Sequence, residues 1–179
     1  MRFQSSSAAL AALQQFDRSV CLKWNAIKSV PVLRFFVTVS KLGDGGVWIV
    51  LAISLLVVDG AQAWWVVARM SMSTLVGMLV YRSIKRRLAR PRPCASDFGV
   101  VAWTGPLDLY AFPSGHTLHA VALSVILVRA YPPMVWLLAP LAALIAVSRI
   151  VLGLHYPSDV VAGAAVGAAL GWTCSIGLS

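Results

Sequence analysis

Three short strings of the sequence carry residue types suited to phosphoryl chemistry. They are Lys85-(six residues)-Arg92-Pro93, Pro113-Ser114-Gly115-His116 and Ser148-Arg149-(five residues)-His155-(three residues)-Asp159. Together they supply two histidines, cations, a carboxylate and a Ser-Gly turn. Such groups can bind a phosphate ester and cleave it without a metal ion. We therefore interpret the three strings as parts of one phosphate site.

The basic side chains of the first and third strings are the expected phosphate ligands. Arg92 and Arg149 each present a planar pair of donors to two oxygens, and Lys85 adds a point charge. The remaining cations near Lys85 are interpreted as contacts to lipid headgroups: Arg86, Arg87 and Arg90.

The second string is predicted to stand where a loop becomes a helix. The N–H groups of a helix start, with the Ser114 hydroxyl, would form an anion cradle, and Gly115 would allow close backbone approach. The string by itself equally fits an ordinary N-cap, in which Ser114 caps the helix whether or not phosphate binds.

The two histidines suggest a division of roles. If a helix begins by Pro157, Asp159 lies in its first turn and can accept the Nδ1–H of His155, which leaves Nε2 as the nucleophile. His116 would then protonate the leaving group and later act as base for water.

A metal site is the alternative use of these side chains. His119 follows His116 by three residues, so His116, His119, His155 and Asp159 form a conceivable ligand set. Because the surrounding cations would repel a divalent ion, we expect neither a metal nor another cofactor, and interpret His119 as a packed neighbour.

The elements that must position these strings are apolar. Of the 179 residues, 59% are hydrophobic and 12% are charged, whereas soluble domains carry about 25% charged residues. The net charge of +9 suits anionic headgroups and an anionic substrate. Nucleic acid is excluded as the main partner, because the cations lie beside apolar segments rather than in a solvated patch with stacking aromatics.

The pattern predicts an all-α integral membrane bundle of five, or at most six, transmembrane helices. An amphipathic helix over residues 8–28 would lie on the membrane surface, within an N-terminal segment 1–46 that precedes a core of residues 47–179. Five apolar segments follow: Val47–Val58, Trp64–Ile84, His116–Tyr131, Met134–Leu152 and Val160–Leu178. The first is short for the roughly 20 residues of a span. Counting crossings puts the loops that hold the three strings on one face.

A stripe of small residues marks the last segment. Gly163, Gly167 and Gly171 recur every fourth residue, a spacing that lets helix backbones approach closely. Packing within the chain is the first interpretation of this stripe, and a homodimer through it is the second.

The three strings, in this order, resemble the signature of the type 2 phosphatidic acid phosphatase family, which shares its phosphate site with vanadium haloperoxidases and glucose-6-phosphatase. The resemblance covers roughly Asp17 to Gly171 and implies a metal-independent phosphatase on a helical bundle. By position it implies a nucleophile at His155, an acid/base at His116 and an orienting carboxylate at Asp159. The implied phosphate ligands are Lys85, Arg92, Ser114, Gly115 and Arg149.

The resulting hypothesis is a multi-pass lipid phosphatase of the inner (plasma) membrane. Its expected substrates are phosphatidate, phosphatidylglycerophosphate or a polyprenyl diphosphate, cleaved through a phosphohistidine. The alternative is a membrane protein that binds or moves phospholipid and keeps a relic site. The nucleophile with its orienting carboxylate argues against that alternative, because binding alone needs only cations.

Overall fold

The computed structural model describes residues 2–176, with side chains from residue 8 onward, and these residues contain no β-strand. The last part of the fifth apolar segment, residues 177 and 178, lies outside this range. Seven α-helices span the described chain: α1 Arg2–Asn25, α2 Val30–Leu42, α3 Gly46–Asp59, α4 Ala63–Leu88, α5 Gly115–Ala130, α6 Val135–Val151 and α7 Pro157–Cys174. Single 3-10 turns occur at Gly60–Gln62, Pro93–Ala95 and Pro132–Met134.

α5 forms the centre of the bundle and packs against α7, α4 and α6. Its contact with α7 is close because α7 carries the glycine stripe. A Cβ at Gly163, Gly167 or Gly171 would overlap a backbone carbonyl oxygen of α5 or its N-cap. The stripe is therefore used within the chain. All three glycines are buried against α5, as the first interpretation of the stripe expects.

α3 and α4 present a broad apolar surface to the outside. Val57 and Val58 are 78% and 79% exposed, and many other large apolar side chains of these helices are also exposed. Exposure of such a continuous apolar surface to water is unfavourable, whereas its contact with lipid is favourable. The stretches 46–95 and 132–151 each contain an 18-residue segment apolar enough to cross a membrane, with mean hydropathies of 1.8 and 2.1.

The first predicted span forms a short helix. α3 has 14 residues, or about 21 Å at 1.5 Å per residue, against about 30 Å of hydrocarbon. It lies beside α4, and a 3-10 turn joins the two helices.

α1 is fixed to the bundle by polar side chains, which the amphipathic pattern did not predict. Asp17, Cys21 and Asn25 are spaced four residues apart and buried on one face. Asn25 donates to the carbonyl oxygens of Val101 at 2.9 Å and Val151 at 3.1 Å, and accepts the Val101 N–H at 2.7 Å. Through Asn25, α1 thus holds the loop that precedes α5 and the end of α6.

Candidate active site

Residues of all three strings line one cavity of about 1000 Å³ at one end of the bundle. The lining includes Lys85, Arg92, Gly115, His116, Arg149 and His155. These side chains come from the end of α4, the loop after it, the start of α5, the end of α6 and the loop before α7. The expectation that the strings meet on one face is therefore confirmed.

The helix ends that frame the cavity follow from local sequence. α4 stops at Leu88, where Ala89 takes a left-handed conformation with φ 45° and Pro91 follows. α7 begins at Pro157, as predicted, because proline suits the first helical position. α5 begins at Gly115 with Ser114 as its N-cap residue.

An acidic side chain occupies the cation cradle. Both carboxylate oxygens of Asp108 accept hydrogen bonds from Lys85 Nζ at 2.7 Å, and one of them also accepts from Arg92 Nη2 at 2.7 Å. Arg92 Nε donates to the Asp108 carbonyl oxygen at 2.9 Å. Burial alone would raise the pKa of Asp108, but the hydrogen bonds and charges of Lys85 and Arg92 outweigh burial and lower it. An anion is therefore already bound where the strings predict phosphate.

His155 is buried to 1% exposure beside these cations. Its Nε2 lies 3.2 Å from Nη1 of Arg92. Because guanidinium can only donate, Nε2 is the unprotonated nitrogen and Nδ1 carries the hydrogen. Burial lowers the pKa of His155 well below its usual range, and the neighbouring cations, Arg149 first among them, lower it further. The ring is therefore neutral, with its lone pair on Nε2.

Asp159 lies next to His155 without a hydrogen bond to it. The Nδ1 to Oδ2 distance is 3.7 Å, and Nδ1 is buried without a partner among the described residues. Oδ2 instead accepts the Tyr156 N–H at 2.8 Å, and Oδ1 accepts from Arg90 Nη1 at 2.6 Å. The expected direct bond is thus absent here, because the helix cap and Arg90 hold the carboxylate.

Arg90 is a central ion-pair partner and not a headgroup contact, so that interpretation was wrong. Its second guanidinium nitrogen, Nη2, donates to Asp17 at 2.7 Å, and its Cζ lies 4.1 Å from the centroid of the Tyr156 ring. Asp17 also accepts the N–H of Ser158 at 3.0 Å. Arg90 therefore links α1 to the carboxylate beside His155. Burial raises the pKa of Asp159 to about 6, although the Arg90 charge opposes this shift.

The second string contributes to the cavity differently from the prediction. Ser114 is fully buried, its N–H donates to the Asp159 carbonyl oxygen at 3.0 Å, and its hydroxyl accepts from Thr117 at 3.0 Å. The Ser114 N–H is therefore already paired, and Ser114 is not among the residues that line the cavity. Gly115 does line the cavity, so the start of α5 itself is the donor surface that remains.

Ser40, at the end of α2, and Asp44, in the turn after α2, contact Arg149 and His116, which the strings did not predict. Asp44 Oδ1 lies 2.5 Å from Nε2 of His116. Arg149 donates through Nη1 to the hydroxyl of Ser40, while its buried Nε has no partner among the described residues. The free Nε leaves Arg149 a donor for an anion.

His119 packs against α4 rather than joining a ligand cluster. Its ring meets Tyr81 edge to face at 5.8 Å between centroids, and a Cβ on Gly77 would lie 3.0 Å from its Cε1. Among residues 2–176, no three His, Cys, Asp or Glu side chains form a group that would hold a metal ion.

The same cavity has an apolar side. It extends from the cations between α3 and α4, where its lining consists largely of apolar side chains, including Ile49, Ala52, Val67, Met70, Leu75 and Met78. One continuous space therefore joins a cation-lined cup to an apolar groove.

Comparison with known proteins places this arrangement in a family. A sequence profile of the PAP2 superfamily matches residues 66–178. Decaprenylphosphoryl-5-phosphoribose phosphatase of Mycobacterium tuberculosis is 35% identical over 127 residues, which cover 69% of this chain and 67% of that protein. Undecaprenyl-diphosphatase of Sulfolobus acidocaldarius is 30% identical over 148 residues, which cover 79% and 68%.

Solved structures agree with the sequence matches. Aquifex aeolicus LpxE superposes with a TM-score of 0.77 at 26% identity, covering 87% of this chain and 92% of that one. A transmembrane PAP2-type phosphatidylglycerolphosphate phosphatase from Bacillus subtilis superposes with a TM-score of 0.73 at 23% identity, covering 91% and 84%. The all-helical fold is thus that of membrane phosphatases, and the chain belongs to the PAP2 superfamily.

Proposed function

We propose that the protein is a metal-independent phosphatase that removes the terminal phosphate of a lipid phosphate or diphosphate. The observation that carries the proposal is the cavity in which the histidines and cations of the three strings adjoin an apolar groove. A soluble phosphate ester needs only the polar cup. The groove gives a hydrocarbon chain a place beside the reacting phosphate.

The Asp108 carboxylate marks where the substrate phosphate would bind. A phosphate oxygen in its place would receive the same donors from Lys85 and Arg92. Arg149, through its free Nε, and the N–H groups at the start of α5 would contact further oxygens. These donors would stabilise the charge that builds on the equatorial oxygens during transfer.

The proposed reaction has two steps. Nε2 of His155 attacks phosphorus and forms a P–N bond as the P–O bond to the lipid breaks, and His116 gives a proton to the departing oxygen. Water then attacks the phosphohistidine, His116 takes a proton from this water, and the P–N bond breaks. Asp159 stabilises the positive charge on the His155 ring between the two steps.

The relatives favour a lipid-linked substrate. Two similar proteins carry decaprenylphosphoryl and undecaprenyl-diphosphate substrates in their names, and a protein of the same fold acts on phosphatidylglycerolphosphate. We extend the shared class, a phosphate on a lipid anchor, to this chain.

We also propose how the chain sits in the membrane. The segments 47–58, 64–84, 116–131, 134–152 and 160–178 cross the inner (plasma) membrane, and α1 lies at the interface on the site side. Outward-facing Leu10, Leu13 and Phe16, which are 46% to 56% exposed, would enter the lipid. The boundary at residue 46 would then divide the chain by its position in the membrane. It would not divide the site, because Asp17 and Asp44, which precede the boundary, both contact site residues.

A phosphate-release panel tests the proposal. The purified chain in detergent is given phosphatidate, phosphatidylglycerophosphate, a polyprenyl diphosphate and, as soluble control, glycerol phosphate. We expect release from at least one lipid in excess chelator, and inhibition by vanadate. Activity that chelator abolishes and zinc restores would replace this mechanism by a metal-dependent one. Preference for glycerol phosphate would remove the lipid part.

A further inference from the structure

We propose that Asp44 is the positioning residue of the acid/base histidine. It accepts a hydrogen bond from Nε2–H of His116 and thereby presents the opposite nitrogen, Nδ1, to the leaving group. This inference rests on the proposed function and concerns a residue outside the part of the chain that the family profile matches, residues 66–178.

The contact between Asp44 and His116 is short, and the two side chains differ in their exposure to solvent. Oδ1 of Asp44 lies 2.5 Å from Nε2 of His116, and the side chains are 44% and 10% exposed respectively. A hydrogen bond between a carboxylate and an imidazole is charge-assisted and therefore stronger than a neutral one. His116 is thus oriented by a carboxylate from the turn that joins α2 to α3.

The backbone of this turn supports the same edge of the ring. A Cβ on Gly43 would lie 3.1 Å from Cδ2 of His116 and 3.0 Å from the Ile145 side chain. The Nε2–Cδ2 edge of the imidazole is therefore packed against the turn. In a five-membered ring the atom opposite that edge is Nδ1, which leaves it for the substrate.

The turn is itself anchored to the site. Ser40, at the end of α2, accepts a hydrogen bond from Arg149, and α2 packs on α6. The segment 40–44 thus contacts both a proposed phosphate ligand and the proposed acid. It fixes the distance between them, which a proton transfer to the bridging oxygen requires.

The protons balance in both steps with Nδ1 as the active atom. In the first step His116 is an imidazolium that passes its Nδ1 proton to the lipid oxygen as the P–O bond breaks, and Nε2–H stays bonded to Asp44. In the second step Nδ1 takes a proton from the attacking water. Asp44 supplies a negative charge beside this imidazolium, whereas Arg149 and Lys85 place positive charges near it.

Leaving-group chemistry separates this role from a merely structural one. An alkoxide leaving group needs the acid, whereas nitrophenolate departs without a proton. We expect Asp44→Asn to lower kcat/KM for phosphatidate about 10²-fold and for p-nitrophenyl phosphate by less than about fivefold. Both substrates are measured on one preparation, so the ratio does not depend on the folded fraction. Equal losses, or no loss on either substrate, would overturn the inference.

Two further variants complete the test. Asp97→Asn removes an exposed carboxylate of the loop before α5 and should leave the ratio unchanged. The double variant Asp44→Asn/His116→Ala should be no slower than His116→Ala alone, because Asp44 acts through that ring; a further loss on phosphatidate would contradict the assignment. Wild type that releases phosphate from none of the three lipids of the panel would refute the proposed function itself; if another lipid of the panel is cleaved and phosphatidate is not, that lipid takes the place of phosphatidate in the comparison.

Discussion

The two histidines of the site are held in different ways. His155 is buried to 1% exposure and surrounded by paired charges that reach as far as α1. His116 lies near the mouth, against a carboxylate that is 44% exposed. A nucleophile must meet phosphorus in one direction, so a rigid environment suits His155. An acid/base must meet a leaving lipid and then water, so an open position suits His116.

The sharpest test concerns His155, the proposed nucleophile. We expect His155→Ala to lower kcat for lipid phosphate release by about 10⁴-fold or more, because no other group can form the covalent intermediate. Phosphate release from radiolabelled substrate measures it, and acid-labile labelling of wild type but not of the variant reports the phosphohistidine. Residual activity within tenfold of wild type would move the nucleophile elsewhere.

Substitution of Arg90 tests whether the buried surroundings of His155 depend on α1. Arg90→Met leaves Asp17 and Asp159 without their shared partner, and we expect kcat to fall about 10²-fold, together with lower stability. Thermal unfolding in detergent separates the two effects. Arg90→Lys keeps the charge and should recover part of the loss; an active, fully stable Arg90→Met variant would show that the link to α1 is dispensable.

The pH dependence of phosphatase activity should report on Asp159 and its partner Arg90. Asp159 must be ionised to stabilise the His155 cation, and its pKa is raised to about 6. Lipid phosphatase activity should therefore fall about tenfold per pH unit below pH 6. Since the Arg90 charge lowers this pKa, Arg90→Met should move the acidic limb to higher pH. Stability has the opposite sign: with its pKa raised on folding, Asp159 makes the folded state less stable as pH rises from about 4 to about 6.

The smallest expected effect concerns the anion in the cradle. Asp108→Asn removes a charge that substrate phosphate must displace from Lys85 and Arg92. We expect the inhibition constants of vanadate and inorganic phosphate to fall about tenfold, with kcat changed less. Weaker inhibition in the variant would mean that Asp108 organises the two cations and does not compete with phosphate.

The sequence predicted the parts of the site that lie within its strings. The residues Lys85, Arg92, Gly115, His116, Arg149 and His155 all line one cavity, as spacing and the count of crossings implied. Helix starts at Gly115 and Pro157 also followed from local signals, because caps and prolines act over a few residues.

The carboxylates that complete the site were not predictable from spacing. Asp44 pairs with His116 across 72 positions, and Asp17 pairs with Arg90 across 73; only tertiary packing brings them together. A weaker signal did exist. The chain has 6 acidic residues against 15 basic ones, so each aspartate is a candidate partner for a buried cation. Ser114 shows the converse, since close packing of α5 on Gly163 buried a hydroxyl that its string placed on phosphate.

The cavity that joins the cup to the groove has a consequence for the end of each turnover. A lipid that has given up its terminal phosphate carries less of the charge that would hold its head among the cations, and the space between α3 and α4 would give it a sideways exit into the bilayer. Inorganic phosphate is insoluble in that phase and departs through the mouth into water. The two products would therefore leave into different phases, which would make their return to one site rare.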